Sequence, residues 1–152
     1  MMSLSNVFSI AGSGMSAQSI RLNTTASNMA NADTVSSSID QTYRARHPVF
    51  ATALNQAMKD NGFNAWEDPH MAAQANAGVE VMGIVESEAP LRSEYNPDHP
   101  MANDEGYVYY PNVNVVEEMA NMISASRSFQ TNVEIMNTAK TMMQRVLVLG
   151  QA

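Results

Sequence analysis

The sequence contains no cysteine. A disulfide framework, a thiolate zinc site and a cysteine nucleophile are therefore all excluded, and nothing fixes the redox compartment. Charge is also scarce, at 15% of residues against the usual quarter or so, so the polar surface must come from Ser, Asn, Thr and Gln. Basic residues are the rarer sign, 8 against 15 acidic for a net charge of -7, which excludes a surface that tracks phosphates and hence nucleic acid as a partner. No stretch approaches the roughly 20 apolar residues of a membrane-spanning helix. The N-terminus lacks a basic region, and its apolar run Val7 to Ala11 is short and broken by Ser9, which argues against a cleaved secretory signal. What is present is 152 residues with 45% hydrophobic content, enough for a core but too little for two full-sized enzyme domains.

The charges are unevenly spread. From Met1 to Ala32 the only charged side chain is Arg21. Between Asp33 and Pro111 twelve acidic residues stand against four basic ones, and from Asn112 onward three Glu balance Arg127, Lys140 and Arg145. The middle therefore reads as solvated and the two ends do not. In the N-terminal segment Leu4, Phe8, Ala11, Met15, Leu22 and Met29 follow a spacing of four and three whose missing steps fall on Gln18 and Thr25, which predicts a helix from about Ser3 to about Ala32. Its other faces carry Ser, Asn, Thr, Ala and Gly rather than Lys and Glu, so it is expected to pack on several sides. Gly12 and Gly14 each weaken such a helix by nearly 1 kcal/mol relative to Ala, and are read as close-packing positions.

The C-terminal segment holds the strongest periodicity. Val115, Met119, Met122, Ser126, Phe129, Val133, Met136, Lys140, Met143 and Leu147 form a sustained heptad seam broken only by Ser126 and Lys140. A second line through Ile135, Ala139, Met142, Val146 and Leu149 widens the stripe. Asn114 is the expected cap, Glu117 and Glu118 suit the positive end of the dipole, and Gly150 suits the stop. Helices of roughly 45 and 50 Å overshoot the roughly 40 Å diameter of a compact chain of this size, and the uncharged faces favour an assembly subunit over an isolated hairpin.

Between the helices, Tyr43 to Phe50, Val79 to Glu86 and Tyr107 to Tyr110 are strand-like, and Phe50 to Asp60 is expected as a short helix closed by Asn61 and Gly62. The expected fold is mainly α with a small β-containing insert. Long terminal helices form a coiled-coil-like core (1–34 and 112–152), with an irregular outer domain and its connections at 35–111 between them. No catalytic constellation emerges. His47, His70 and His99 lack ligand spacing, Glu67 to His70 reads as a solvated turn, and Asp98 to Glu105 reads as a hydrated loop without the ligand order of a calcium site. No catalytic residue, metal site or cofactor is expected.

Asn28-Met29-Ala30-Asn31-Ala32-Asp33-Thr34 resembles the Asn-Leu-Ala-Asn-x-x-Thr signature that ends the N-terminal helix of flagellar rod and hook proteins. Gly106 to Val113, followed by Glu118, Met119, Met122, Ile123, Ala125, Arg127, Phe129 and Asn132, resembles the C-terminal block of flagellar basal-body rod proteins. Tyr43 to Phe50, Met136 to Lys140 and the ending Leu149-Gly150-Gln151 point to the proximal-rod subtype. The resemblance implies a non-enzymatic subunit of the bacterial flagellar basal body. Its terminal helices would pack with copies of itself and other rod subunits into the periplasm-crossing drive shaft needed for motility, after passage through the flagellar type III export apparatus. Together with the seams it gives an expected assembly interface of Leu4, Phe8, Met15, Leu22, Asn28, Asn31, Glu118, Met119, Met122, Arg127, Phe129, Asn132, Val133, Met136, Met143 and Leu147. A needle- or tip-type subunit of a related type III secretion system would share signal-less export but not the Asn28 to Thr34 and Glu118 to Asn132 blocks. A small hydrolase would need convergent catalytic groups that are not offered.

Overall fold

The computed structural model describes residues 4–53 and 78–149. Helix α1 runs Leu4–Ala30 and helix α2 Val115–Leu149, within two residues of both expected starts. At the head of α2 the Asn114 Oδ1 accepts from the backbone N–H of Val116 (3.1 Å) and Glu117 (3.4 Å), supplying two of the donors that a helix start leaves unpaired.

Between the helices lie a short 3-10 turn, Ile39–Gln41, and strands β1 (Arg46–Ala53), β2 (Gly78–Glu86), β3 (Arg92–Tyr95) and β4 (Tyr107–Tyr110). They form two two-stranded sheets, β1 with β2 and β3 with β4. The expected helix from Phe50 is corrected over its first four residues: Phe50 to Ala53 belong to β1, where hydrogen bonds to β2 override the helix preference of an Ala-rich stretch. Its remainder, like Glu67 to His70, lies outside the described residues. Strand β3 was not expected, since Arg-Ser-Glu-Tyr shows no apolar alternation. Its antiparallel register with β4 explains it: Arg92 stacks 4.6 Å over the ring of its partner Tyr110, and Tyr95 meets Tyr107 edge to face at 5.3 Å.

The chain divides into two compact units. In the first (residues 1–19, 50–82 and 127–152), a Cβ built on Gly14 would lie 2.8 Å from the Asn132 Nδ2, and one on Gly12 would lie 3.9 Å from the Met136 methyl. The missing side chains let α1 approach α2 there. Ala11, Ala17 and Ala139 are buried, and the Ser13 Oγ accepts from the Val79 N–H at 3.1 Å, fastening the start of β2 to α1.

In the second unit (residues 20–49 and 83–126), Arg21 donates to the Asn121 Oδ1 at 2.8 Å. Val108 and Asn28 are fully buried, and Ala125 and Glu118 are also inside. Ser36 exchanges both backbone hydrogen bonds with Tyr109 (3.1 and 2.9 Å), so the segment after α1 is held against β4. The loop from Tyr95 to Tyr107 closes on itself: the Asn103 Oδ1 accepts from the N–H groups of Glu105 (3.0 Å) and Tyr107 (2.8 Å), the His99 Nδ1 accepts from the N–H of Met101 (3.0 Å), and Gly106 takes φ +82°. A left-handed φ is one that only glycine adopts without cost.

Candidate assembly surface

Two side-chain amides organise the second unit. Asn28, on the last turn of α1, accepts at its Oδ1 from the Arg46 N–H (2.9 Å) and the Tyr43 hydroxyl (2.8 Å), and donates from its Nδ2 to the Arg46 carbonyl (2.8 Å). One residue earlier, the Asn112 Oδ1 accepts from the Ala45 N–H (2.8 Å), while its Nδ2 reaches the carbonyls of Ser87 (3.3 Å) and Ala89 (2.9 Å). The Ser87 N–H donates to the Ala45 carbonyl at 2.7 Å. All four backbone polar groups of Ala45 and Arg46 are thus satisfied, three of them by asparagine side chains, as buried backbone requires. Asn31 and Thr34 close the end of α1: the Asn31 Nδ2 donates to the Ser27 carbonyl (2.8 Å) and the Thr34 hydroxyl to the Asn31 carbonyl (2.7 Å). The residues read as a family signature therefore also fasten the chain to itself. Arg46 extends outward to Glu86 at 3.0 Å, an exposed pair worth little in stability.

The expected interface residues separate by exposure. Asn28 and Glu118 are buried; Phe8, Met15, Leu22, Asn31, Met122, Phe129, Asn132, Val133 and Met136 are half-buried; Leu4, Met119, Arg127, Met143 and Leu147 are exposed. Within the chain, the most buried line on α2 runs through Glu118, Ala125 and Ala139, not through the largest residues. On α1 it runs through Ala11, Ala17, Thr24, Thr25 and Asn28. Periodicity weighted by size misses this line because small residues occupy the points of closest approach and large ones flank them.

The apolar side chains left uncovered are the notable remainder. In the first unit Ile135, Met142, Met143, Val146, Leu147, Val148 and Leu149 are exposed on α2, and a groove of about 400 Å³ runs along Leu4, Val7, Ile135, Ala139 and Met142. In the second unit Val116, Met119 and Ile123 are exposed on the first turns of α2. Val116 and Ile123 were not among the expected residues, although their spacing with Met119 was visible. Exposed apolar patches of this kind are, in general, what interaction sites present. Among the described residues no three His, Cys, Asp or Glu side chains are placed to hold a metal ion, and no helix is long and apolar enough to cross a membrane.

Long terminal helices with bare apolar faces and a small β-containing middle define a structural assembly subunit. Residues 104–149 match the family model for the flagellar basal body rod FlgEFG protein C-terminal, and residues 8–35 match that for the flagella basal body rod protein. The chain is 46% identical over 150 residues to the flagellar basal-body rod protein FlgC of Salmonella typhimurium, covering 99% of this chain and 100% of the relative. It is 47% identical, with the same coverage, to that of Escherichia coli O157:H7, and 32% identical over 158 residues to that of Borreliella burgdorferi, covering 99% of each. The chain belongs to the flagellar basal-body rod protein FlgC family. It is a structural subunit of the flagellar basal-body rod and not an enzyme, and the needle-type alternative is not favoured.

Proposed function

We propose that this subunit builds the proximal part of the rod by joining copies of itself and neighbouring rod subunits through its terminal segments, 1–34 and 112–152, with residues 35–111 facing outward. In this reading it reaches the periplasmic space through the flagellar type III export apparatus. The observation that carries the proposal is the run of exposed apolar side chains on the last turns of α2, from Met142 to Leu149. No isolated chain gains from leaving these in water, and a helical assembly would cover them in every copy. The surface set is then Leu4, Met119, Met143 and Leu147, with the half-buried Phe8, Met15, Leu22, Met122, Phe129, Val133 and Met136 beneath it.

Leu147→Asp tests this directly. Leu147 is 61% exposed, so the variant's stability in solution should change by no more than about 0.5 kcal/mol. In the rod the same carboxylate would be desolvated at each copy, at a cost of several kcal/mol. The expected outcome is an unchanged melting curve, normal export and no completed rods by electron microscopy of basal bodies. Normal rods and swimming would remove the last turns of α2 from the interface.

A further inference from the structure

The two ends of α2 carry the same kind of surface with opposite charge. On its first turns Val116 (76% exposed), Met119 (49%) and Ile123 (56%) form an apolar stripe at helical spacing. The only charged residues between Val115 and Ser126 are Glu117 and Glu118, of which Glu117 is exposed and flanks the stripe while Glu118 is buried. On its last turns Met142 (55%), Val146 (64%) and Leu149 (78%) form a second stripe. The only charged residues from Met136 to Leu149 are Lys140 and Arg145, both exposed, and Arg145 sits three positions after Met142 and four before Leu149, beside the stripe. Among the described residues the only ion pair is Arg46 with Glu86, so the charged groups of Glu117 and Arg145 have no ionic partner there. The helix dipole favours Glu117 in the first turn, but no basic residue lies in the last turn, and the dipole gives no reason for an exposed apolar stripe beside each charge.

We propose, resting on the rod-subunit reading above, that the first turns of α2 in one copy dock against the last turns of α2 in a second copy, with Glu117 of one facing Arg145 of the other. Like ends are excluded as partners because they would set Glu117 against Glu117 or Arg145 against Arg145. A contact between two different patches of identical subunits does not close on itself as a two-fold dimer does, and it propagates into a ring or an open helical array. A single helix thereby carries both halves of a repeating joint.

Charge exchange tests the pairing. Glu117→Arg and Arg145→Glu should each reduce swimming and rod completion, and the chain carrying both changes should restore them, because each joint again holds one charge of each sign. If the charges serve only the dipole, the double variant will be worse than either single one, and that result overturns the proposal. So do single variants that swim normally. Because the chain has no cysteine, a second measurement is available in cells. Val116→Cys combined with Val146→Cys should give an oxidant-dependent ladder of cross-linked copies, and neither change alone should give more than background. Cross-linking in a single variant, or none in a swimming double variant whose isolated basal bodies contain the chain, overturns the docking mode. Basal bodies that lack the chain altogether would instead overturn the rod reading on which it rests.

Discussion

Asn28 acts as an additional peptide group: its amide offers Arg46 a donor and an acceptor in the arrangement of a neighbouring strand. Asn28→Asp keeps both acceptor contacts but turns the donor into an oxygen facing the Arg46 carbonyl, in a fully buried position. The expected loss is about 3 kcal/mol or more at pH 7, read by urea unfolding. The introduced carboxyl can donate to the carbonyl only when protonated, so folding raises its pKa above the unfolded value. Its favourable form is complete below about pH 4, the ordinary carboxylate range, and is lost as pH rises. The deficit should therefore shrink on acidification, and a deficit independent of pH would refute the donor assignment. Gly106 makes a simpler demand. At φ +82°, with the Tyr95 ring 2.8 Å from where a Cβ would sit, Gly106→Ala should lower stability by about 1–2 kcal/mol in the same assay. An unchanged midpoint would show that the loop accommodates a side chain.

The terminal helices were legible as elements, since their seams are long, Asn114 caps α2 as expected and charge is sparse along both. Their faces were less legible. A seam drawn through Met119, Phe129 and Leu147 marks where large residues lie, whereas the chain's own closest approach passes through Ala125, Ala139 and Gly14. Size signals burial only where there is room for it. Strand β3 escaped because its pairing depends on tyrosines some fifteen residues further on, and the role of Asn112 escaped because an asparagine before a helix reads as part of a turn. The distinction between faces makes a prediction at this scale. Phe129 is half-buried, so Phe129→Asp should cost about 2–3 kcal/mol in the free subunit as well as blocking rod assembly. Leu147→Asp should affect assembly alone. Equal melting temperatures for the two variants would place Phe129 outside the chain's own packing.

At the scale of the whole molecule, the described residues bury alanines, threonines and an asparagine far more than large aliphatic side chains, and Val108 is the one large hydrophobic residue that is fully covered. Hydration of newly exposed apolar surface raises the heat capacity of an unfolded chain, and hydration of polar surface lowers it. Unfolding of the free subunit should therefore carry a heat-capacity increase well below the usual 12 cal/mol/K or so per residue, measurable by calorimetry, and a value at or above that figure would contradict the burial pattern. The missing increment should appear when copies join, as a strongly negative heat-capacity change of association. The temperature at which the rod is most stable would then be set by contacts between subunits, while each free subunit would show a shallow stability curve with little penalty on cooling.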